Sequence, residues 1–465
     1  MTRTTTTRLR TVLGVVAIAL AATVTAWVRL GPVARGTGWA EDTGLFFREH
    51  LALGSVGSLF HPYAGYLHLV PRLVVDAAFA LPIDRYALTV SLVCCSLVGV
   101  VCAALFVLAR EVVRPWPLRL VLAAVPVLLP TAPFEVTGNA ANLHTFALVL
   151  APWLFTVRPR TRWGAAAAAV AAVLVTCTEV QAVLFLPLLL LAWWPRDGDR
   201  RAARRALPMA VAALAGGTAQ VVTALVTARA SRPGDPGVTD VVAGYLFSVV
   251  GGLGTSHLGA VGRAVVAHGW GVLVVPAVAL LAVLVVALLR GPWRTRVLLV
   301  ALTLGSAVVW GAALVANASA DERWSTAAPA QLEALTPSRY AAAAGLLLTM
   351  AVVVAAATLV SPERRAARPT SDPVPVTRSG GPSRVVRAAV GWVVVAALVT
   401  TWVGAVGPGP TTRDGGPAWQ PQVLGAATLC RAADHPASVP VRAVPWAAEV
   451  PCALVLRVDR PTGHR

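Results

Sequence analysis

Long apolar runs alternate with short polar breaks from one end of this chain to the other. A run of about 20 apolar residues is the length of a bilayer-crossing helix. A backbone with no water to satisfy it must be helical there. The pattern predicts eleven spans, at 11–29, 87–109, 117–132, 140–157, 163–178, 180–194, 206–228, 269–289, 296–316, 340–361 and 387–405. The run at 64–82 is apolar enough for another, but charge argues against it. If 64–82 does not cross, the clusters Arg3/Arg8/Arg10, Arg110/Arg114/Arg119, Arg158/Arg160/Arg162, Arg196/Arg200/Arg201/Arg204/Arg205, Arg290/Arg294/Arg296 and Arg364/Arg365/Arg368/Arg378/Arg384/Arg387 all fall on one face. That is the positive-inside pattern, and a crossing at 64–82 would invert every later loop. Segments 41–53 and 64–82 are therefore predicted as helices lying along the outer interface, inside a first outer loop at 31–86.

The fold class that follows is an all-α polytopic membrane protein in the cell membrane, with its N-terminus cytoplasmic and its C-terminus outside. The run Thr11–Trp27 resembles a signal-peptide core but is longer and lacks a small-residue cleavage site, so it is expected to stay as the first span. The bundle occupies 1–405. Within it 362–386 is a Pro/Ser/Arg-rich cytoplasmic linker, expected to be disordered. Residues 406–465 form a small extracytoplasmic tail. No internal repeat is evident, which weakens an inverted-repeat transporter.

Composition sharpens this. The chain is 57% hydrophobic and 13% charged, against roughly 25% charged in soluble domains. The net charge of +18 does not indicate nucleic acid, because the basic residues sit in short loops between spans. All 39 basic residues are Arg, which reads as coding bias. Of the six cysteines, Cys94, Cys95, Cys102 and Cys177 lie in apolar runs as small hydrophobes. Cys430 and Cys452 stand alone in the tail, and outside the cell they would pair. A Walker A loop, a GxSxG elbow and a metal-spaced Cys/His set are all absent.

The polar residues that remain crowd the predicted outer ends. Glu41 and Asp42 adjoin one another just past the first span, in a chain poor in acids. Paired carboxylates can split their pKa values and leave one suited to general-base work, with Asp42 the base and Glu41 its support. They can also ligate a hard cation, leaving Mg²⁺ or Mn²⁺ open; acids at a helix start are the plainer reading. The stretch His61–Arg72 follows. His68 and Arg72, four apart, would share a helix face. Arg72 could hold a phosphate, and Tyr63 and Tyr66 could stack on a sugar, although an interfacial aromatic belt would look similar. A further outer turn carries Glu135, Asn139, Asn142 and His144, with Asn139 equally placed to cap a helix. Glu179 and Gln181 occupy another. Arg339, with Tyr340, opens the tenth span from outside against the charge rule, placed to bind a lipid-linked phosphate or to snorkel.

At Trp39-Ala40-Glu41-Asp42 and the interfacial helices behind them, the chain resembles the GT-C superfamily of integral-membrane glycosyltransferases. The resemblance covers the topology of most of the chain, on short motifs. It implies an inner N-terminus, about a dozen spans, acidic catalytic residues in the first outer loop at Glu41 and Asp42, and polyprenyl-phosphate sugar donors. Arg339 is similar to an outward Arg that binds donor phosphate in some members. The tail resembles a short version of their extracytoplasmic domain. The expected function is inverting transfer of a sugar to a cell-envelope glycan or glycolipid outside the membrane, with Asp42 as base and Arg339 and Arg72 on the phosphate. The alternatives are a transporter or flippase of lipid-linked glycan, and a non-catalytic envelope assembly protein. A transporter would set its polar residues near mid-bilayer, whereas here they gather at one end.

Overall fold

The computed structural model describes residues 2–194, 200–229, 231–320, 322–361 and 382–458. Among them seven helices are long and apolar enough to cross a bilayer: Leu9–Gly36, Ile83–Glu111, Arg200–Val226, Gly271–Arg290, Trp293–Ala316, Arg339–Val360 and Arg384–Val403. Each coincides with a predicted span, and the chain is a multi-pass helical protein suited to a lipid bilayer.

The expected count of eleven is not reached on these terms. The runs at 117–132, 140–157, 163–178 and 180–194 form the shorter helices Trp116–Leu128, Leu143–Phe155, Arg162–Thr176 and Val180–Ala192. At 1.5 Å per residue, 13 to 15 residues reach only about 20 Å, short of the roughly 30 Å hydrocarbon core. Trp116–Leu128 stops because Leu129 precedes Pro130 and is driven to extended backbone (ψ 124°). Val180–Ala192 is a 3-10 helix, whose rise near 2.0 Å lengthens its 13 residues to about 26 Å. A further pair, Val238–Leu253 and Leu258–His268, bends by 120° at its break and was not among the predicted spans. Most of the predicted linker, 362–381, lies outside the described residues, and 382–386 open the helix Pro382–Val403.

The chain divides into two units. The second comprises 104–130 and 233–404. Its centre is Arg339–Val360, whose spanning window is 89% buried. A helix apolar on every side belongs inside a bundle. Its many Ala residues let neighbours come close. The first unit comprises 1–103, 131–232 and 405–465, so the tail clusters with the first loop.

In the first unit the loop after the first span folds into Ala40–Gly44, Phe46–Leu59 and Leu69–Phe79. The first predicted helix runs on to Leu59, broken at Gly54 (φ 71°). The second begins later than expected. Tyr63 and Tyr66 exchange backbone hydrogen bonds (3.0 and 3.1 Å) around Ala64 and Gly65, both at positive φ. That is a tight two-residue turn. His68 then caps Leu69–Phe79, and Arg72 N–H donates to His68 O (3.1 Å). The tail folds as Trp419–Arg431, an antiparallel pair Ser438–Arg442 and Ala447–Pro451, and Cys452–Val458. The expected disulfide joins Cys430 to Cys452.

Candidate active site

Apart from Arg339, the polar residues picked out in separate stretches of sequence lie in the first unit, where most of them gather in two clusters.

Asp42 anchors the first. It lies in Ala40–Gly44 and is 1% exposed. One carboxylate oxygen accepts Ala140 N–H and the other Ala141 N–H, each at 2.8 Å. Its own carbonyl accepts the Tyr86 hydroxyl (2.7 Å). Arg413, from the tail, is buried and donates to Thr137 O (2.9 Å) and Gly138 O (3.1 Å). Gly138 sits at φ 76°, with Leu30 and the Arg413 guanidinium against its Cα, so a side chain there would be both strained and crowded. Asn139 Oδ1 accepts Asn142 N–H (2.9 Å), and both Asn amides donate to Glu135 O (2.6 and 3.1 Å). Asn139 and Asn142 are each 1% exposed and build the turn. Asn139 thus closes the turn ahead of Leu143–Phe155, whose N-cap residue is Asn142 with no side-chain cap. A cavity with room for about one water lies beside Asp42, between Trp39, Thr43, Tyr86, Ser91 and Arg413.

Burial pushes the Asp42 carboxyl up to about 7, against the two backbone donors and Arg413, which hold it down. Two outcomes follow for Asp42→Asn. The Asn amide must turn its NH₂ toward one of two backbone N–H donors, so the substitution is not structurally neutral; a loss of about 1–3 kcal/mol is expected. The wild-type carboxyl also takes up a proton on folding between its usual 3.8 and about 7, so stability falls as pH rises through that window. Unfolding midpoints at pH 4 and pH 8 should show the wild-type advantage over Asp42→Asn shrinking with pH. A constant gap would mean that Asp42 titrates normally.

The second cluster is aromatic. His68 is 2% exposed and packs against Tyr66 (centroids 4.0 Å, ring planes tilted by 31°), with Tyr63 at 5.4 Å and Phe46 at 5.6 Å. Burial, with the nearby charges of His144 and Arg72, holds His68 well below the usual imidazole range, so it is neutral. Its backbone is docked into the bundle. Gln220 clamps Leu67 N–H and C=O (2.8 and 3.1 Å), Cys177 O accepts Leu69 N–H, and Thr178 Oγ1 accepts Val70 N–H. Arg72, 1% exposed, lies over Phe46 (4.9 Å) and donates through Nη2 to Glu49 Oε2 (2.6 Å). Its buried Nε and Nη1 have no hydrogen-bond acceptor. Glu49 Oε1 stands 3.7 Å from His61. Beside the ring cluster, His144 Nδ1 lies 2.5 Å from Glu179 Oε2.

Glu41 is buried next to Asp42. Among the described residues no three His, Cys, Asp or Glu side chains gather as a cation site. Both Asp42 oxygens already accept backbone N–H groups, and a full set of cation ligands does not gather around them among the described residues. Arg339 belongs to the second unit, half-buried, with its guanidinium 5.2 Å from the Tyr340 ring. The sequence reading passed over Glu49, Gln220 and Arg413. Arg413 carried a usable signal, since it is an Arg in a tail expected outside, against the charge rule, as Arg339 is. Comparison with protein-family models, with curated proteins and with solved structures finds no match for this chain.

Proposed function

We propose that this protein transfers a sugar from a polyprenyl-phosphate donor to a hydroxyl of a cell-envelope acceptor at the outer face of the membrane. The observation that carries the reading is Arg72. A buried guanidinium with two nitrogens lacking acceptors is costly, and it suits a phosphate, which accepts such donors and balances the charge. It lies over Phe46, whose ring meets Tyr63 and His68 in an apolar surface of the kind that stacks on sugars. Glu49 fixes the Arg72 head group and leaves Nε and Nη1 for the anion. In this reading Asp42 is a positioning residue, because both its oxygens hold the turn that leads into His144. Arg339 lies in the second unit and stands as a separate candidate for binding an anion. The charge bias of the loops supports placing the site outside.

Binding tests this directly. Protein in nanodiscs is expected to bind farnesyl phosphate and not farnesol, and Arg72→Ala should weaken that binding by about 10-fold or more. Arg339→Ala reports separately on the second guanidinium. Equal binding of farnesol and farnesyl phosphate would remove the phosphate from the reading. In a deletion strain, loss of one envelope glycan linkage with accumulation of its lipid-linked donor on the outer leaflet is the expected phenotype. Accumulation on the inner leaflet would favour the flippase.

A further inference from the structure

The transfer reading leaves open where the acceptor's proton goes, and the inference made here rests on that reading. Four groups near the aromatic cluster could take a proton. Both Asp42 oxygens accept backbone N–H groups. Glu49 is shared between Arg72 and His61. His68 is sealed, with Nδ1 3.2 Å from Tyr66 O. His144 differs from all three. Its side chain is 22% exposed, while the Glu179 side chain behind it is 3% exposed. Glu179 Oε1 accepts Gln181 N–H (2.7 Å), which fixes the carboxylate, and Oε2 meets His144 Nδ1 at 2.5 Å. Tyr66 presents a ring to His144 at 6.2 Å, nearly perpendicular (75°). An imidazole whose Nδ1–H is held by a fixed buried carboxylate keeps its Nε2 lone pair for a proton, and the carboxylate stabilises the imidazolium that forms.

We propose that His144, oriented by Glu179, is the proton acceptor of the transfer. The acceptor hydroxyl oxygen bonds to the anomeric carbon. The bond from that carbon to the phosphate oxygen breaks, and its electron pair leaves on the polyprenyl phosphate. The hydroxyl proton passes to His144 Nε2, and the imidazolium later releases it to water.

The competing account is an ion pair that merely staples Leu143–Phe155 to Val180–Ala192. His144→Gln separates the two, because its amide can still donate to Glu179 but cannot accept the proton usefully. Nitrogen-15 spectra of histidine-labelled protein in nanodiscs at pH 9, assigned by the signal lost in His144→Gln, are expected to show His144 as the Nδ1–H tautomer. The Nε2–H tautomer would overturn the proposal. Added farnesyl phosphate should shift the His144 Nε2 resonance. Binding without that shift would overturn this assignment and leave the donor reading standing, whereas no binding at all removes the reading and this inference with it. In the deletion strain, His144→Gln should restore the glycan about 10²-fold less than wild type, while unfolding near the wild-type midpoint. Wild-type restoration would show the pair to be only a staple. If the variant fails to fold, the His144 signal is assigned by elimination from the signals lost in single variants of the other seven histidines, and the wild-type tautomer still decides.

Discussion

Arg413→Ala is expected to be among the most damaging single changes in this protein, costing about 2–5 kcal/mol, because two buried carbonyls lose their donor at about 1–3 kcal/mol each. The guanidinium is 3% exposed and holds the carbonyls of Thr137 and Gly138. Its charge also holds the Asp42 carboxyl down, while burial depresses its own pKa and Asp42 raises it. Without it, two buried carbonyls lose their donor and Asp42 loses its counter-charge beside Glu41. Arg413→Lys keeps the charge but cannot fork across two carbonyls, so it should recover part of the loss. Thermal unfolding of the purified variants measures both. A double-mutant cycle with Asp42→Asn should show coupling of about 1–3 kcal/mol, because the two residues share one turn. Additive losses would mean that Arg413 acts on the carbonyls alone.

The reach of sequence reasoning can be judged at these same residues. The seven long spans were legible because an unbroken apolar run of bilayer length has one solution in lipid. The shorter helices were legible as helices but their lengths were not, because Pro residues and a 3-10 segment change length without changing hydropathy. In the site, Asp42, His68, Arg72, Asn139, Asn142 and His144 stood out singly, being polar where polarity is costly. Their roles did not follow. Asp42 reads as a base until its oxygens are seen to bind Ala140 and Ala141, almost a hundred residues away in sequence. Asn139 and Asn142 read as substrate ligands until they are seen bonded to Glu135. Gln220 resembles a stray polar residue inside a span, yet it docks the whole His68 loop through Leu67. Such pairings depend on which loop returns to which span, and a single sequence carries no record of that.

The tail shows what such a return contributes. Arg413 reaches its carbonyls because the tail around it is anchored to the first loop and to the turn at Phe134. Thr412 N–H donates to Phe134 O (2.8 Å), Trp419 Nε1 to Ile83 O (2.7 Å), and Ala40 N–H to Val444 O (2.8 Å). Trp419 also packs on Phe47 and Tyr86. Sixty residues with so small a core need a covalent staple. The Cys430–Cys452 bond, 22 residues apart in sequence, contributes about 3 kcal/mol in the chain-entropy model. Replacing both cysteines with Ala, or reducing the protein, is therefore expected to free the tail while the long spans stay folded. Arg431, next to Cys430, and Arg442, in the hairpin that precedes Cys452, are exposed, so trypsin should cut there at least about 10-fold faster in the reduced protein. Trypsin added to intact cells or right-side-out vesicles then reads the compartment as well. Cleavage at Arg431 or Arg442 after reduction places the tail outside, next to the loop it clamps. Protection in sealed vesicles, with cleavage only after lysis, would put tail and site in the cytoplasm, where the disulfide would not persist.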